Sequence, residues 1–284
     1  LFDTNVLTKQ ERYAINIVIP CSEQGLALTN ATFENNHADS NGGAIATPNN
    51  YLNTLLNLEN IMFKKNKAGI KGGALHVSGV QTGAQISDST FDSNVAVDSG
   101  GALSIASAAV LQMYRSNGIG NMVSGTGNGG FLYAKFANPI LFNDVRIEGS
   151  STEGGGGGVA LFNSKIALVQ VTLSKCQAGN GGGGALFLDG VSEAHLLDCI
   201  MRSNLANFGG SGGHIRVESA STLILHGRGT ELTWLKQDPL FSKNSYLLSK
   251  DGNILKEGRS FSEGGAVSCV ASTSNNGVLV VQNT

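Results

Sequence analysis

The segment Phe63-Lys64-Lys65-Asn66-Lys67-Ala68-Gly69-Ile70-Lys71-Gly72-Gly73-Ala74-Leu75 decides the fold, because both of its halves recur along the chain. Its first half is an aromatic residue followed three positions later by Asn. Its second half, starting nine residues after the aromatic, is a Gly pair followed by a small and then an aliphatic residue. The Gly pair returns at Gly42-Gly43-Ala44-Ile45, Gly100-Gly101-Ala102-Leu103, Gly129-Gly130-Phe131-Leu132 and Gly157-Gly158-Val159-Ala160. It continues at Gly183-Gly184-Ala185-Leu186, Gly212-Gly213-His214-Ile215 and Gly264-Gly265-Ala266-Val267. The aromatic motif reads Phe2…Asn5, Phe33…Asn36, Phe91…Asn94, Tyr114…Asn117, Met201…Asn204 and Phe241…Asn244, with weaker copies at Ile147…Ser150 and Leu173…Cys176. Copies lie about 26 to 30 residues apart, and the interval before the last Gly pair is two periods.

Upstream of each aromatic, apolar residues alternate with others: Leu26 and Leu28, Leu56 and Leu58, Ala84 and Ile86, Ile140 and Phe142, Ile166 and Leu168, Ala194 and Leu196. Period-two alternation is a strand signal. Three residues before the aromatic stands a polar residue, Asn30, Asn60, Asp88, Asp144, Gln170 or Asp198. Asn and Asp suit corners because they tolerate turn conformations and bond their own backbone. Each period therefore reads as a coil of three short strands and three corners. One such coil cannot bury its own apolar face, but coils stacked about 4.8 Å apart can. The sequence predicts an all-β, right-handed parallel β-helix of about nine turns. One domain spans residues 1–284, with a loop excursion at 230–258. Phe33, Phe63 and Phe91 are expected in one interior file, and Asn36, Asn66 and Asn94 in an amide ladder of the kind identical stacked side chains form. A helical solenoid is disfavoured, since Gly in every repeat would cost about 1 kcal/mol per residue inside a helix.

The two ends read as repeat in mid-array. Phe2-Asp3-Thr4-Asn5 is already a motif copy, and Val278 and Val280 take the inward strand positions with Gln282 at the polar corner. The expectation is a piece of a longer array, with further coils of the same chain as its neighbours.

Composition narrows the function. Charged residues make up 14% of the chain and the net charge is −2, with no basic run, so a nucleic-acid partner has no electrostatic support. No apolar stretch is long enough to span a bilayer in this segment. Cys21, Cys176, Cys199 and Cys269 share no metal or redox spacing. They read as buried thiols, with one disulfide of undefined pairing as the alternative.

The paired Gly-Gly-Ala-Ile/Leu and Phe-x-x-Asn motifs resemble the repeats of the chlamydial polymorphic membrane proteins and related right-handed β-helix repeats of pectin-lyase-like fold. The resemblance implies an extracellular or cell-surface scaffold, structural or adhesive, or part of a surface filament. Its partners would be other protein subunits or cell-surface and matrix glycans.

The same fold class contains polysaccharide lyases and hydrolases, so an enzyme is the competing expectation. Its candidate cluster is Asp88, Asp144 and Asp198, but these fall on coils two apart, about 10 Å from one another and too distant to share a metal or a proton. The carboxylate pairs Glu148 and Glu153, Asp189 and Glu193, and Glu218 and Glu231 fit no glycosidase motif. His37, His76, His195, His214 and His226 share no metal spacing. The expectation is therefore no catalytic residue, no cofactor and no metal, with loops Gly118–Gly130 and Thr230–Gly258 as the places an enzyme site would occupy. A third reading is a non-catalytic glycan-binding module using Trp234, Tyr246 or Tyr133 as stacking platforms. Asn30-Ala31-Thr32 is the single sequon, which makes Asn30 a candidate glycosylation site.

Overall fold

The computed structural model describes residues 25–47, 55–80, 82–207 and 209–226, with shorter pieces at 15–16, 253–256, 259–260, 266–269 and 278–282. It is a parallel β-helix without helices among the described residues. One coil shows the plan: Leu55–Glu59, a corner, Met62–Lys64, a corner, Lys67–Ala68, then the Gly pair and Leu75–Ser78. Every strand pairs in parallel with its counterpart one period on. Leu56 meets Ala84, Phe63 meets Phe91, Ala68 meets Ala96 and Leu75 meets Leu103.

Three parallel sheets result. The largest, with 15 strands, bends at the corner between the alternating strand and the aromatic strand. In two consecutive coils these merge, as Val110–Ile119 and Ile140–Glu148. A second sheet of nine strands carries the residues after the Gly pairs, and a third of eight holds the two-residue strands such as Lys67–Ala68. Leu56, Leu58, Phe63, Leu75 and Val77 all point inward and are buried, so each coil supplies one slice of a continuous core.

The corners explain the repeat chemistry. Asn30, Asn60, Asp88, Arg115, Asp144, Gln170 and Asp198 form one column with φ between 42° and 54°. Asn and Asp enter this left-handed region more readily than other non-Gly residues. At the Gly pair the two residues do different things. Gly72 has φ +66°, and a Cβ on Gly73 would lie 2.0 Å from the Gly101 carbonyl oxygen of the next coil. The first Gly makes the turn, and the second lets backbones of adjacent coils touch.

The register corrects several sequence expectations. Among the described residues about seven coils can be followed between Leu26 and Val217, fewer than the nine expected, with pieces of further coils on either side. The partner of Phe91 is Gly118, not Tyr114, which pairs with Ser87 on the preceding strand. The Asn of that coil is accordingly Asn121. Inserted residues in the Gly-rich corner that follows had disguised the frame. The fifth Gly pair is Gly156-Gly157, because Val159 stands opposite Leu132. Phe241…Asn244 is not the copy after Met201: Leu255 pairs with Met201, so Ile254–Lys256 belongs to the array although it was expected in the 230–258 excursion. Leu279 and Val281, rather than Val278 and Val280, pair with inward Leu223 and Leu225. In each case the pattern of apolar residues was ambiguous by a step or more, and a one-residue slip exchanges the two faces of a strand.

Candidate functional site

The Phe and Asn columns are structural. Phe33 and Phe63 stack with centroids 5.2 Å apart and 13° between planes, and Phe63 and Phe91 at 4.7 Å and 14°. In the next coil Gly118 leaves the slot empty and Phe131 fills it from the Gly-pair corner, edge-on to Phe91 at 5.8 Å. The Asn side chains form a hydrogen-bonded ladder. Asn36 Nδ2 donates to Asn66 Oδ1 at 2.8 Å, Asn66 to Asn94 at 2.9 Å, and Asn94 to Asn121 at 3.0 Å. The same amides cap backbone: Asn66 Nδ2 also donates to the Phe33 carbonyl at 2.9 Å, and Asn94 Nδ2 to the Phe63 carbonyl at 3.0 Å.

The polar corner column is paired off rather than clustered for catalysis. Arg115 sits between the coils of Asp88 and Asp144 and donates both Nε and Nη2 to the Asp88 carboxylate, at 2.8 and 2.6 Å. Those hydrogen bonds hold Asp88 below its ordinary range. Glu148 receives Lys175 at 2.7 Å and Arg146, and these bonds hold it low as well. Asp144 and Asp198 remain on coils two apart, as the spacing required.

Asn30 is exposed, and its Oδ1 accepts from Asn60 Nδ2 at 2.6 Å. Cys176 and Cys199 are buried free thiols, pushed up to about 12 by burial. Cys21, Trp234 and Tyr246 lie outside the described residues, as do most of 230–258 and the side chain of Cys269.

Two outward-facing features hold buried ionisable side chains. On the large sheet, Lys165 Nζ meets Glu193 Oε1 at 2.8 Å, Glu193 meets His195 Nε2, and His195 Nδ1 meets His226 Nε2 at 2.8 Å. Burial pushes His195 down to about 4 against the pull of Glu193. Burial raises Glu193, but hydrogen bonds from Lys165 and His195 outweigh it and leave the carboxyl low. An ionised Glu193 accepts a hydrogen bond from Nε2–H of neutral His195, so His195 Nδ1 accepts from His226 Nε2.

The second feature is a groove of about 320 Å³ on the outer face of the nine-stranded sheet. Two outward columns make it. His76, Ser104 and Tyr133 stand in register across three coils, and Ser78, Ala106 and Lys135 beside them. The small residues of the middle coil leave space between longer ones on either side. Lys71 forms one wall, its Nζ 5.3 Å from the centre of the Tyr133 ring and 3.6 Å from Asp98 Oδ2. Lys135 Nζ lies 5.7 Å from the centre of the Phe136 ring. Burial, then Lys71, pushes His76 down to about 4, and burial raises Tyr133, so the floor carries a neutral imidazole and a phenol.

Phe136 is the unusual residue at this groove. It is 56% exposed and has φ 54°. Its counterparts in the coils around it are Ser107, Asn163, Gly190 and Ser219, all with positive φ and all ordinary turn residues. A bulky aromatic in that region is strained by about 1–3 kcal/mol.

Among the candidates weighed from sequence, only Tyr133 and His76 meet here. Lys71, Lys135 and Phe136 were not among those candidates; the signal that could have found Phe136 is an aromatic seven residues after the first Gly of its pair, where the preceding coil has Ser107. Among the described residues no group of three His, Cys, Asp or Glu side chains converges on a metal position. No helix among them is long and apolar enough to cross a membrane.

Residues 30–48 match the family model described as the Chlamydia polymorphic membrane protein (Chlamydia_PMP) repeat. No curated protein and no solved structure matches the chain. The matched segment runs from the polar corner through Phe33, Asn36 and the first Gly pair, the same features that the remaining coils repeat in register. The chain is thus a parallel β-helix repeat protein similar to the chlamydial polymorphic membrane proteins.

Proposed function

We propose that the chain is a non-catalytic, adhesive segment of a surface scaffold, displaying its outer faces to other protein subunits or to glycans. The repeat type and the fold fit a surface-associated β-helix protein. One observation supports the non-catalytic part: three carboxylates on the outer faces of the large sheet and its corner are committed to cations. Asp88 is bound by Arg115, Glu148 by Lys175 and Arg146, and Glu193 by Lys165, and all three are held toward the charged form. Glycoside cleavage needs a carboxylic acid with a raised pKa as its proton donor, opposite a second carboxyl. These three have the opposite tuning.

The test has two arms. Beads coated with the folded protein should attach to host cells or matrix, and beads coated with heat-unfolded protein should not. In parallel, the protein is incubated with uronate-containing and neutral polysaccharides and assayed for new reducing ends and unsaturated uronate absorbance. Attachment without turnover supports the reading. Turnover that disappears on replacing a named carboxylate overturns it in favour of a polysaccharide-cleaving enzyme.

A further inference from the structure

We propose that the groove between His76, Lys71, Lys135 and Phe136 is a subsite for one carboxylated pyranose residue of a glycan. The inference rests on the adhesive reading and names the chemistry of its partner. Three independent observations point to a ligand. First, His76 is 5% exposed, and neither its Nδ1 nor Ser104 Oγ, one coil on in the same column, has a hydrogen-bond partner among the described residues. Buried polar groups in native proteins are mostly satisfied, so two orphans in neighbouring rungs beside a hollow leave hydrogen-bonding capacity that polar atoms from outside can use. Second, the groove lining includes Lys71 and Lys135 and no carboxylate, which selects an anion. Third, Phe136 is held exposed in a conformation unfavourable to it, at a corner where other coils place Ser, Asn or Gly. Strain that persists in a fold tends to serve a site. An exposed ring beside an ammonium group offers a pyranose its apolar face and a carboxylate its counter-charge.

A bare anion would not need the ring, and a neutral sugar would not need two lysines. The His76 imidazole, neutral at physiological pH, can donate to or accept from a hydroxyl. Its neutral state follows from burial and from Lys71, the cation that faces it. The remaining charged groups in reach are Lys135 on the groove wall and Asp98, which pairs with Lys71 at 3.6 Å.

The probe is methyl β-D-glucuronide, titrated into the folded protein and followed by amide NMR shifts. Methyl β-D-glucoside serves as the neutral ring and acetate as the anion without a ring. The glucuronide should shift Ala106, Ser107 and Phe136 amides and bind roughly tenfold or more tightly than either control, the scale of one charge-assisted hydrogen bond. Lys71→Gln with Lys135→Gln should weaken it by a similar factor. Phe136→Asn should also weaken it while raising the unfolding midpoint, since Asn tolerates the corner conformation. That opposite movement of binding and stability separates a ligand contact from a structural role. Equal binding of glucoside or acetate, indifference to the lysine pair, or no glucuronide binding would each overturn the proposal. Cell attachment that survives Lys71→Gln/Lys135→Gln would leave the adhesive reading standing and remove this groove from it. Glucuronide binding without cell attachment would do the reverse.

Discussion

Asn94 shows what one residue of the array must do. Its Oδ1 accepts from Asn66 N and Asn66 Nδ2 at 3.0 and 2.9 Å, and its Nδ2 donates to Phe63 O and Asn121 Oδ1, both at 3.0 Å. A buried amide seldom fills its capacity so completely. Truncation would strand several of those partners where water cannot reach them, at about 1–3 kcal/mol for each group left unpaired. Asn94→Ala should therefore lower stability by about 3–5 kcal/mol in denaturant titrations. Asn36, a half-buried rung at the start of the described ladder, donates to Asn66 and receives no such bond from a preceding Asn among the described residues. Asn36→Ala should cost about 1 kcal/mol. Equal losses at the two positions would mean that the ladder is not the source of the stability.

Between elements, the coils compensate for each other's side chains. Gly118 occupies the slot that Phe63 and Phe91 fill in the preceding coils, and a Cβ there would lie 2.4 Å from the Phe131 ring. Phe131 in turn stands where Ala74 and Ala102 stand in theirs, and it also meets Phe142 at 6.2 Å. Volume has moved from one strand to the next corner while the interior stays filled, which close packing requires. Gly118→Phe alone should cost about 3 kcal/mol or more by overpacking. Phe131→Ala alone should cost about 3–5 kcal/mol by leaving a cavity. The double variant restores the arrangement of the neighbouring coils and should cost well below the sum, a coupling of at least about 1–3 kcal/mol. Additive losses in that cycle would show that the two positions do not share one volume.

Across the whole molecule, acid acts on groups that folding has tuned. His76 and His195 ionise near 4 in the fold against an ordinary 6.5. A His with a depressed folded pKa takes up protons on unfolding, so its contribution to stability is complete above pH 6.5 and shrinks as pH falls toward 4. Asp88, Glu148 and Glu193, also depressed, contribute above the ordinary carboxylate range and lose that contribution at still lower pH. The two classes act in the same direction over successive windows. Midpoints of unfolding should be flat from pH 8 to 7 and fall steadily below about 6.5. His76→Gln and His195→Gln should each make the upper part of that fall shallower. A stability maximum near pH 5 would contradict the burial of these imidazoles.

The chain's own order of residues determined the parallel β-helix, the approximate period, the inward Phe file and the Asn ladder. Stacking identical coils turns a linear repeat into a spatial column, so nothing beyond periodicity was needed for them. Trp234 and Tyr246, weighed as stacking platforms, fall outside the described residues, whereas Tyr133 lines the groove. Tertiary structure alone decided the register of the irregular coil, where Gly118 rather than Tyr114 is the partner of Phe91. It also decided which carboxylates meet cations, and that His76, Lys71, Lys135 and Phe136 border one hollow. Lys71 and His76 lie two coils from Lys135 and Phe136; counting from the Gly pairs puts His76 and Tyr133 in one column, but only the packed structure shows that Ser104 and Ala106 between them leave a hollow. A sequence repeat fixes which positions stack, but a break in its phase can be located only by the hydrogen bonds between coils.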